Sequence, residues 1–282
     1  MHFSLTHNAY GKSKVRLTKV TRHDGKHDLK ELSVDVLLEG DFAGSYTDGD
    51  NSKVVATDSM RNTVYSVAKD HPLADVEGYA IALARHFVDH YDMVKTARVD
   101  VREQPWQRIV VNGTPHAHAF QSGGSEQGTC HAEVSGDRVF LKSGLTDLLV
   151  LKTTGSGFSG FVRDRYTTLR ETTDRIFATS VTAEWTWNKT QGVDFSARNA
   201  LIRKMMLEVF AEQFSLAVQQ TLQEMAEAAL AVCPEIDEVV ITMPNKHRLM
   251  VNLEPFGQHN ANEIFMPTDE PHGLITGTIR RG

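Results

Sequence analysis

The alternation of hydrophobic and polar residues predicts antiparallel strands from the start of the chain. Hydrophobic residues take every second position over 15–17 and over 32–38, on either side of a polar turn at 23–26. A period of two is typical of a strand with one buried face, so these stretches predict a long antiparallel hairpin. Further strands are predicted over 94–106, 128–134, 138–143, 145–153, 176–187, 238–243, 248–253 and 274–279.

Four other segments place their hydrophobic residues at helical spacing. Two of them follow each other directly, the first ending before Pro72, and the other two form a second pair that ends at Pro234. Ser, Thr and Asp at a helix start accept backbone N–H bonds, which makes Thr57 or Asp58, Asp75, Asp194 and Ser215 the candidate caps. Strands, a helix pair and strands therefore occur twice, which predicts an α+β fold in two halves, 1–143 and 144–282.

Composition narrows the class of protein. Hydrophobic residues make up 40% and charged residues 23% of 282 residues, and no apolar run approaches the roughly 18 residues of a membrane span. A net charge of -6 argues against a broad nucleic-acid surface but allows a local site for a small anion. Cys130 and Cys233 form no CxxC pair and no cleavable leader follows Met1, so we expect a cytoplasmic protein.

The stretch from 148 to 175 changes from apolar strand to glycine loop to charged turn. Gly155, Gly157 and Gly160 separate the aromatic residues Phe158 and Phe161. A flat ligand could stack on the Phe158 ring while the planar guanidinium of Arg175 pairs with acceptors on its edge. The alternative is a core aromatic and a surface arginine, and these residues by themselves leave both interpretations open.

The spacing within this stretch resembles the signature of the uricase family. Three further blocks are similar to the same family in the same order: Tyr-Gly-Lys at 10–12, Val-Val-Ala-Thr-Asp-Ser at 54–59 and Met-Pro-Asn-Lys-His at 243–247. The resemblance therefore covers the whole chain. Within 149–175 it is carried by Leu-Val-Leu-Lys-Thr-Thr and then by Ser156, Phe158, Phe161, Tyr166, Leu169 and Arg175.

The resemblance implies both an architecture and a reaction. Uricases consist of two tunnelling-fold (T-fold) halves, antiparallel sheets with helix pairs on one face. Two subunits close a barrel, and two barrels form a homotetramer. The implied reaction of purine degradation converts urate, dioxygen and water to 5-hydroxyisourate and hydrogen peroxide with no cofactor. The chain ends in Arg280-Arg281-Gly282 rather than a Ser-Lys-Leu peroxisomal signal, which favours a cytoplasmic, bacterial-like member.

The resemblance also implies a role for individual residues. Lys12, Thr57 and His247 would form the proton relay, and Asn245 would help to hold dioxygen or water above the ring. If 245–247 is a strand, alternation places Asn245 and His247 on one face. One subunit would supply the first-half residues, and its neighbour the others. The residues expected to bind the substrate are Thr57, Asp58, Phe158, Arg175, Val218, Gln219 and Asn245.

Two alternatives remain open at this point. His116 and His118 share a strand face, and with His131 they could hold zinc in a pterin or purine hydrolase on the same fold. A non-catalytic purine-binding module would keep the clamp but lack the relay. Ser159 and Thr173 stand where some uricases have tryptophan, so the shape of the pocket wall is expected to differ here.

Overall fold

The computed structural model describes residues 3–282 and divides into two compact units. The first comprises residues up to Gly144 together with Thr186–Ser196, and the second comprises Leu145–Trp185 together with Ala197–Gly282. No helix among the described residues combines the length and the apolar character needed to cross a membrane.

The first unit is an antiparallel sheet with helices on one face. Its strands lie in the order β1, β2, β3, β6, with β7 beside β6, while β4 and β5 pair as a separate hairpin. Helix α2 packs on β1, and α3 packs on β3 and β6. The elements are β1 (Tyr10–His23), β2 (Lys26–Gly40), α1 (Ala43–Thr47), α2 (Thr57–Asp70), α3 (Val76–His90), β3 (Val94–Gln104), β4 (Trp106–Val111), β5 (Thr114–Ser122), β6 (Gln127–Ser135) and β7 (Arg138–Lys152). The residues of β7 after Gly144 belong to the second unit.

The second unit repeats the combination of sheet and helix pair. Its strands lie in the order β8, β9, β12, and α5 packs on β9 and β12. Helix α4 packs on β8, where the rings of Phe177 and Phe210 are 5.3 Å apart and Trp185 Nε1 donates to Asn199 Oδ1. The elements are β8 (Phe177–Trp187), α4 (Phe195–Glu212), α5 (Val218–Val232), β9 (Ile236–Asn245), β10 (Arg248–Met250), a 3-10 turn (Glu254–Phe256), β11 (Phe265–Pro267) and β12 (Gly273–Arg280).

These elements confirm the predicted fold class, a mixed α+β fold built on antiparallel strands. The sheet of each unit is open, since β1 is an edge of the first unit's sheet and β12 an edge of the second's. The predicted hairpin is β1 paired with β2, and Leu32, Val34, Val36 and Leu38 are buried on its helix-covered face. On β8 the predicted apolar face is also buried, from Phe177 to Trp187.

Several predicted boundaries are wrong. The strand predicted over 94–106 stops at Gln104, because Pro105 has no N–H for the ladder, and β4 begins after it. The strands predicted over 138–143 and 145–153 are one strand, β7, which passes through Gly144 without a break. The strand predicted over 248–253 ends at Met250. No pattern in the sequence predicted the short elements α1 and β11 or the extent of the hairpin β4–β5.

The structure confirms one predicted helix cap and contradicts two others. Asp75 caps α3 as predicted, since its side chain accepts the Gly78 N–H at 2.7 Å. Helix α4 begins one residue after Asp194. The caps predicted for α2 and α5 are wrong, because the N-cap positions are Ala56 and Ala217 and neither makes a side-chain capping bond.

Candidate active site

The loop from 155 to 175 in the second unit holds the two residues expected to clamp a flat ligand. The Arg175 guanidinium carbon lies 5.3 Å from the centroid of the Phe158 ring, a cation–π distance. Phe161 stacks on the same ring, with centroids 5.0 Å apart and an interplanar angle of 12°. Arg175 and Phe158 are both partly buried. The structure therefore brings the predicted arginine and aromatic residue together, and neither is an isolated surface group.

Backbone pairing across this loop determines where Arg175 lies. Phe158 and Thr172 exchange two backbone hydrogen bonds, of 2.8 and 3.0 Å, and the Arg175 N–H donates to Ser156 O at 2.8 Å. The Arg175 side chain also donates from Nε to the Ser156 hydroxyl, at 3.3 Å. A Cβ at Gly157 would lie 3.1 Å from Thr172 O, so the close approach of the two strands favours glycine there.

Burial affects the charge at this position. Desolvation lowers the pKa of the Arg175 guanidinium from its ordinary value. An arginine in a protein nevertheless keeps its proton at neutral pH. A partly desolvated cation gains more from an anionic partner than a fully hydrated one, because fewer water molecules compete for the interaction. The position therefore favours a planar anion with two acceptors on one edge.

Helix α5 begins at Val218, which is buried, and Gln219 follows in an exposed position. The N-cap residue, Ala217, has no side chain that can accept a hydrogen bond. Within residues 3–282 the free N–H groups of the first turn of α5 therefore have no side-chain cap. Such a helix start favours an anion or a carbonyl oxygen. Ser215, just before the helix, forms a short parallel bridge with Ser156 of the Arg175 loop.

Asn245 and His247 lie where β9 ends, and their predicted relation is wrong. Strand β9 stops at Asn245, and residues 246 and 247 are outside any strand, so strand alternation does not relate the two side chains. The Lys246 N–H donates to Ala178 O at 2.9 Å, which holds this end of β9 beside the start of β8. Because Arg175 lies two residues before β8, Asn245 lies at the same end of the second unit's sheet as the arginine loop.

Lys12 lies in the first unit, next to an irregularity of β1. Its Cα pairs with Val36, and the register then shifts between Lys12 and Val15, where Lys14 has a φ of 57°. At Gly11 an added Cβ would lie 1.8 Å from Val36 O, so only glycine fits between the two strands. The lysine is partly buried and its amine forms no hydrogen bond within the described chain.

Thr57 and Asp58 form the first turn of α2, also in the first unit. Both are exposed, and Asp58 pairs with Arg61 one turn later, at 2.7 Å. The N-cap of α2 is Ala56, and the Thr57 hydroxyl makes no hydrogen bond within residues 3–282. The hydroxyl is therefore not used for capping and can interact with another group. Ser159 and Thr173 are exposed on the loop of the second unit.

The histidines of β5 and β6 do not form the zinc site of the hydrolase alternative. The rings of His116 and His118 lie 4.5 Å apart, while His131 Nδ1 is paired with Asp100 at 2.7 Å. His118 has His27 as its other histidine neighbour, at 5.9 Å. Within residues 3–282 no group of three His, Cys, Asp or Glu side chains is arranged to hold a metal ion.

Sequence reasoning missed a set of buried hydroxyl groups beside the clamp. Ser156, Ser215 and Thr221 are all completely buried, and the Ser215 and Thr221 hydroxyl oxygens are 2.7 Å apart. In the sequence, Ser156 stands out only as one position of the 149–175 signature. The remaining signal was weak, because isolated serine and threonine residues before a helix are ordinary capping candidates.

Comparisons with known proteins match nearly the whole chain. The profile of the family described as Uricase matches residues 8–133 and 141–276. The curated uricase of Arthrobacter globiformis is 47% identical over 277 residues, which cover 98% of this chain and 90% of that protein. The curated uricase of Aspergillus flavus is 39% identical over 287 aligned positions, covering 96% and 95% of the two chains.

Solved structures agree as well. The crystal structure of uricase from Arthrobacter globiformis superposes with a TM-score of 0.94 at 47% sequence identity, covering 100% of this chain and 96% of that one. A uricase from Bacillus fastidious superposes with a TM-score of 0.86 at 23% identity, a likeness of fold alone. The extent of these matches and the four signature blocks lead to one conclusion: the chain belongs to the uricase family.

Proposed function

We propose that this protein is a urate oxidase that converts urate, dioxygen and water to 5-hydroxyisourate and hydrogen peroxide. The observation that carries the proposal is the Arg175 guanidinium 5.3 Å from the Phe158 ring, on a loop that is bridged to the residues before α5. Urate is flat, carries carbonyl groups and is an anion at neutral pH. Stacking on an aromatic ring and edge pairing with a guanidinium match those three properties.

The proposed binding contacts follow from the donors that each element presents. Arg175 and the Gln219 amide hold the pyrimidine edge of urate, and the Val218 N–H at the start of α5 donates to a ring carbonyl. Phe158 supports the ring plane. Asp58 contacts the five-membered ring through its backbone, beside Thr57. An analogue that binds but leaves one of these donors without a partner loses affinity, because the donor has given up its water, and this gives the site its specificity.

Lys12, Thr57 and His247 form the proposed proton relay. The Thr57 hydroxyl has no capping role in α2, which makes it available to pass a proton between the substrate and the Lys12 amine. Asn245, at the end of β9, helps to place dioxygen or water above the ring. Doubly deprotonated urate is electron-rich enough to transfer two electrons to dioxygen, and addition of water at the oxidised ring balances the reaction.

The proposed assembly follows from the residue sets of the two units. One subunit supplies Lys12, Thr57 and Asp58, and a neighbouring subunit supplies Phe158, Arg175, Val218, Gln219, Asn245 and His247. The subunit consists of two T-fold halves, 1–143 and 144–282, which form a barrel with a second copy and a homotetramer with two more. Exposed strand edges at β1 and β12 support this, because edge strands gain hydrogen bonds by pairing. The enzyme works in the cytoplasm without a metal or organic cofactor.

Incubation of the purified protein with urate tests the proposal directly. We expect loss of the ultraviolet absorbance of urate together with one equivalent of hydrogen peroxide, at an undiminished rate after dialysis against a chelator. Unchanged urate at high protein concentration would refute the proposed activity and leave a purine-binding module. Loss of turnover on chelation, restored by zinc, would support a metal-dependent alternative instead.

A further inference from the structure

The two parts of the proposed substrate clamp are joined by a pair of backbone hydrogen bonds with buried hydroxyl groups on either side. One part is the loop that carries Phe158 and Arg175, and the other is the start of α5. We propose that Ser156, Ser215 and Thr221 are positioning residues that set the distance between these two parts. The inference rests on the proposed function, because it assigns the hydroxyl groups a role in holding urate.

The first link joins Arg175 to Ser156. Ser156 accepts two hydrogen bonds from Arg175, from the backbone N–H to its carbonyl at 2.8 Å and from the guanidinium Nε to its hydroxyl at 3.3 Å. The Ser156 side chain is completely buried, so water does not compete for the hydroxyl. The guanidinium therefore has a defined orientation before any ligand arrives.

The second link joins the loop to the segment before α5. The Gly157 N–H donates to Ser215 O at 2.8 Å, and the Ser215 N–H donates to Gly155 O at 2.9 Å. These two bonds form the parallel bridge between Ser156 and Ser215. They place Ser215 beside the residue that orients Arg175.

The third link reaches into the helix itself. The hydroxyl oxygens of Ser215 and Thr221 are 2.7 Å apart, Ala217 O lies 3.2 Å from the first and 3.4 Å from the second, and both residues are completely buried. Thr221 is in the first turn of α5, and its N–H donates to Ala217 O, the first bond of the helix. Val218 and Gln219 lie in the same turn. The Ser215–Thr221 bond therefore fixes the proposed carbonyl and amide contacts relative to the proposed guanidinium contact.

This arrangement predicts a separation of binding from chemistry. Within residues 3–282 the three hydroxyl groups make no hydrogen bond to Lys12, Thr57 or His247, so their loss should widen the clamp without changing the relay. Preorganised donors reduce the ordering cost of binding, and a looser clamp pays that cost when the ligand arrives. The expected effect is weaker urate binding with nearly unchanged turnover at saturation.

Thr221→Val tests the proposal, because valine has the shape of threonine without the hydroxyl. Urate cannot be oxidised without dioxygen, so its Kd can be measured anaerobically by equilibrium dialysis, beside aerobic kcat and KM. We expect Kd and KM to rise by about three- to tenfold, the loss of one buried hydrogen bond, with kcat within about twofold. Thr221→Ser, which keeps the hydroxyl, should restore both constants to nearly the wild-type values.

Thr179→Val is the matched control in the same unit. Thr179 is also completely buried, but its hydroxyl has no hydrogen-bond partner in the described chain. The same chemical change there should leave Kd, KM and kcat unchanged. If Thr221→Val yields too little folded protein, Ser156→Ala replaces it as the test variant, with the same expected rise in Kd.

The outcomes separate this inference from the proposed function. Wild-type protein that fails to bind or oxidise urate would contradict the function itself. Active wild-type protein whose Kd is the same in Thr221→Val would overturn the positioning role alone. An equal rise in Thr221→Ser, or in Thr179→Val, would also overturn it, because the effect would then not depend on the hydroxyl bond.

Discussion

Gly11 controls the position of Lys12. The change Gly11→Ala adds only one methyl group, but it should strongly reduce the turnover of urate. A Cβ at this position would lie 1.8 Å from Val36 O and 2.9 Å from the Leu37 Cα. Real Cβ atoms essentially never approach closer than 3.0 Å, so β1 and β2 must separate by at least about 1.2 Å. Lys12 is the next residue, and it lies beside the register shift of β1.

The expected effect of Gly11→Ala has two parts, a loss of stability and a loss of catalytic rate. Overpacking between two paired strands costs about 1–3 kcal/mol of the free energy of unfolding. A displacement of about 1 Å at a catalytic group costs on the order of 100-fold in rate. We therefore expect Gly11→Ala to unfold a few degrees lower and to lose about two orders of magnitude in kcat for urate.

Gly25→Ala is the matched control in the same hairpin. Gly25 lies in the turn between β1 and β2, with a φ of 70° and no atom within 4 Å of an added Cβ. Alanine there costs roughly 1–2 kcal/mol through its left-handed backbone alone. Thermal unfolding and kcat are measured for both variants. A kcat of Gly11→Ala within about twofold of the wild type, or an equal loss of activity in Gly25→Ala, would contradict the control of Lys12 by Gly11.

Three further predictions concern individual side chains. Lys12→Ala should lower kcat by about 10²- to 10⁴-fold and largely keep urate binding. Arg175→Ala should instead weaken urate binding first, by about 10- to 100-fold. Anaerobic equilibrium dialysis and steady-state kinetics distinguish the two effects. Thr57→Val should lower kcat but shift the free energy of unfolding by less than about 0.5 kcal/mol, because Ala56 is the N-cap of α2. Burial lowers the pKa of His71, whose Nδ1 accepts the Leu73 N–H, so the folded state favours the neutral ring and stability falls as the pH drops below about 6.5. His71→Asn, which keeps an acceptor, should flatten that part of the stability curve in thermal melts from about pH 7.5 to 5.

Each of these predictions has an outcome that contradicts it. A Lys12→Ala variant that loses binding but keeps kcat would reverse the assigned roles of Lys12 and Arg175. A large drop in the unfolding temperature of Thr57→Val would show that the hydroxyl stabilises α2 after all. A pH dependence of stability that is identical in wild type and His71→Asn would mean that His71 does not contribute to it.

The sequence determined the elements whose signals are local. The hairpin of β1 and β2, the buried face of β8 and the Asp75 cap follow from spacing and side-chain chemistry within a few residues. The signature blocks also identify the family, because many spaced positions have to match together. Structural features that depend on residues close together in the sequence can therefore be predicted from the sequence.

Tertiary structure decided the arrangements that depend on pairing between distant segments. Strand β9 continues to Asn245, two residues past its predicted end, and Ala56 rather than Thr57 is the N-cap of α2. The bonds that join Ser156, Ser215 and Thr221 exist only because a loop and a helix start lie side by side. A hydrogen bond between distant segments depends on where the fold places both partners, and no local period encodes that distance.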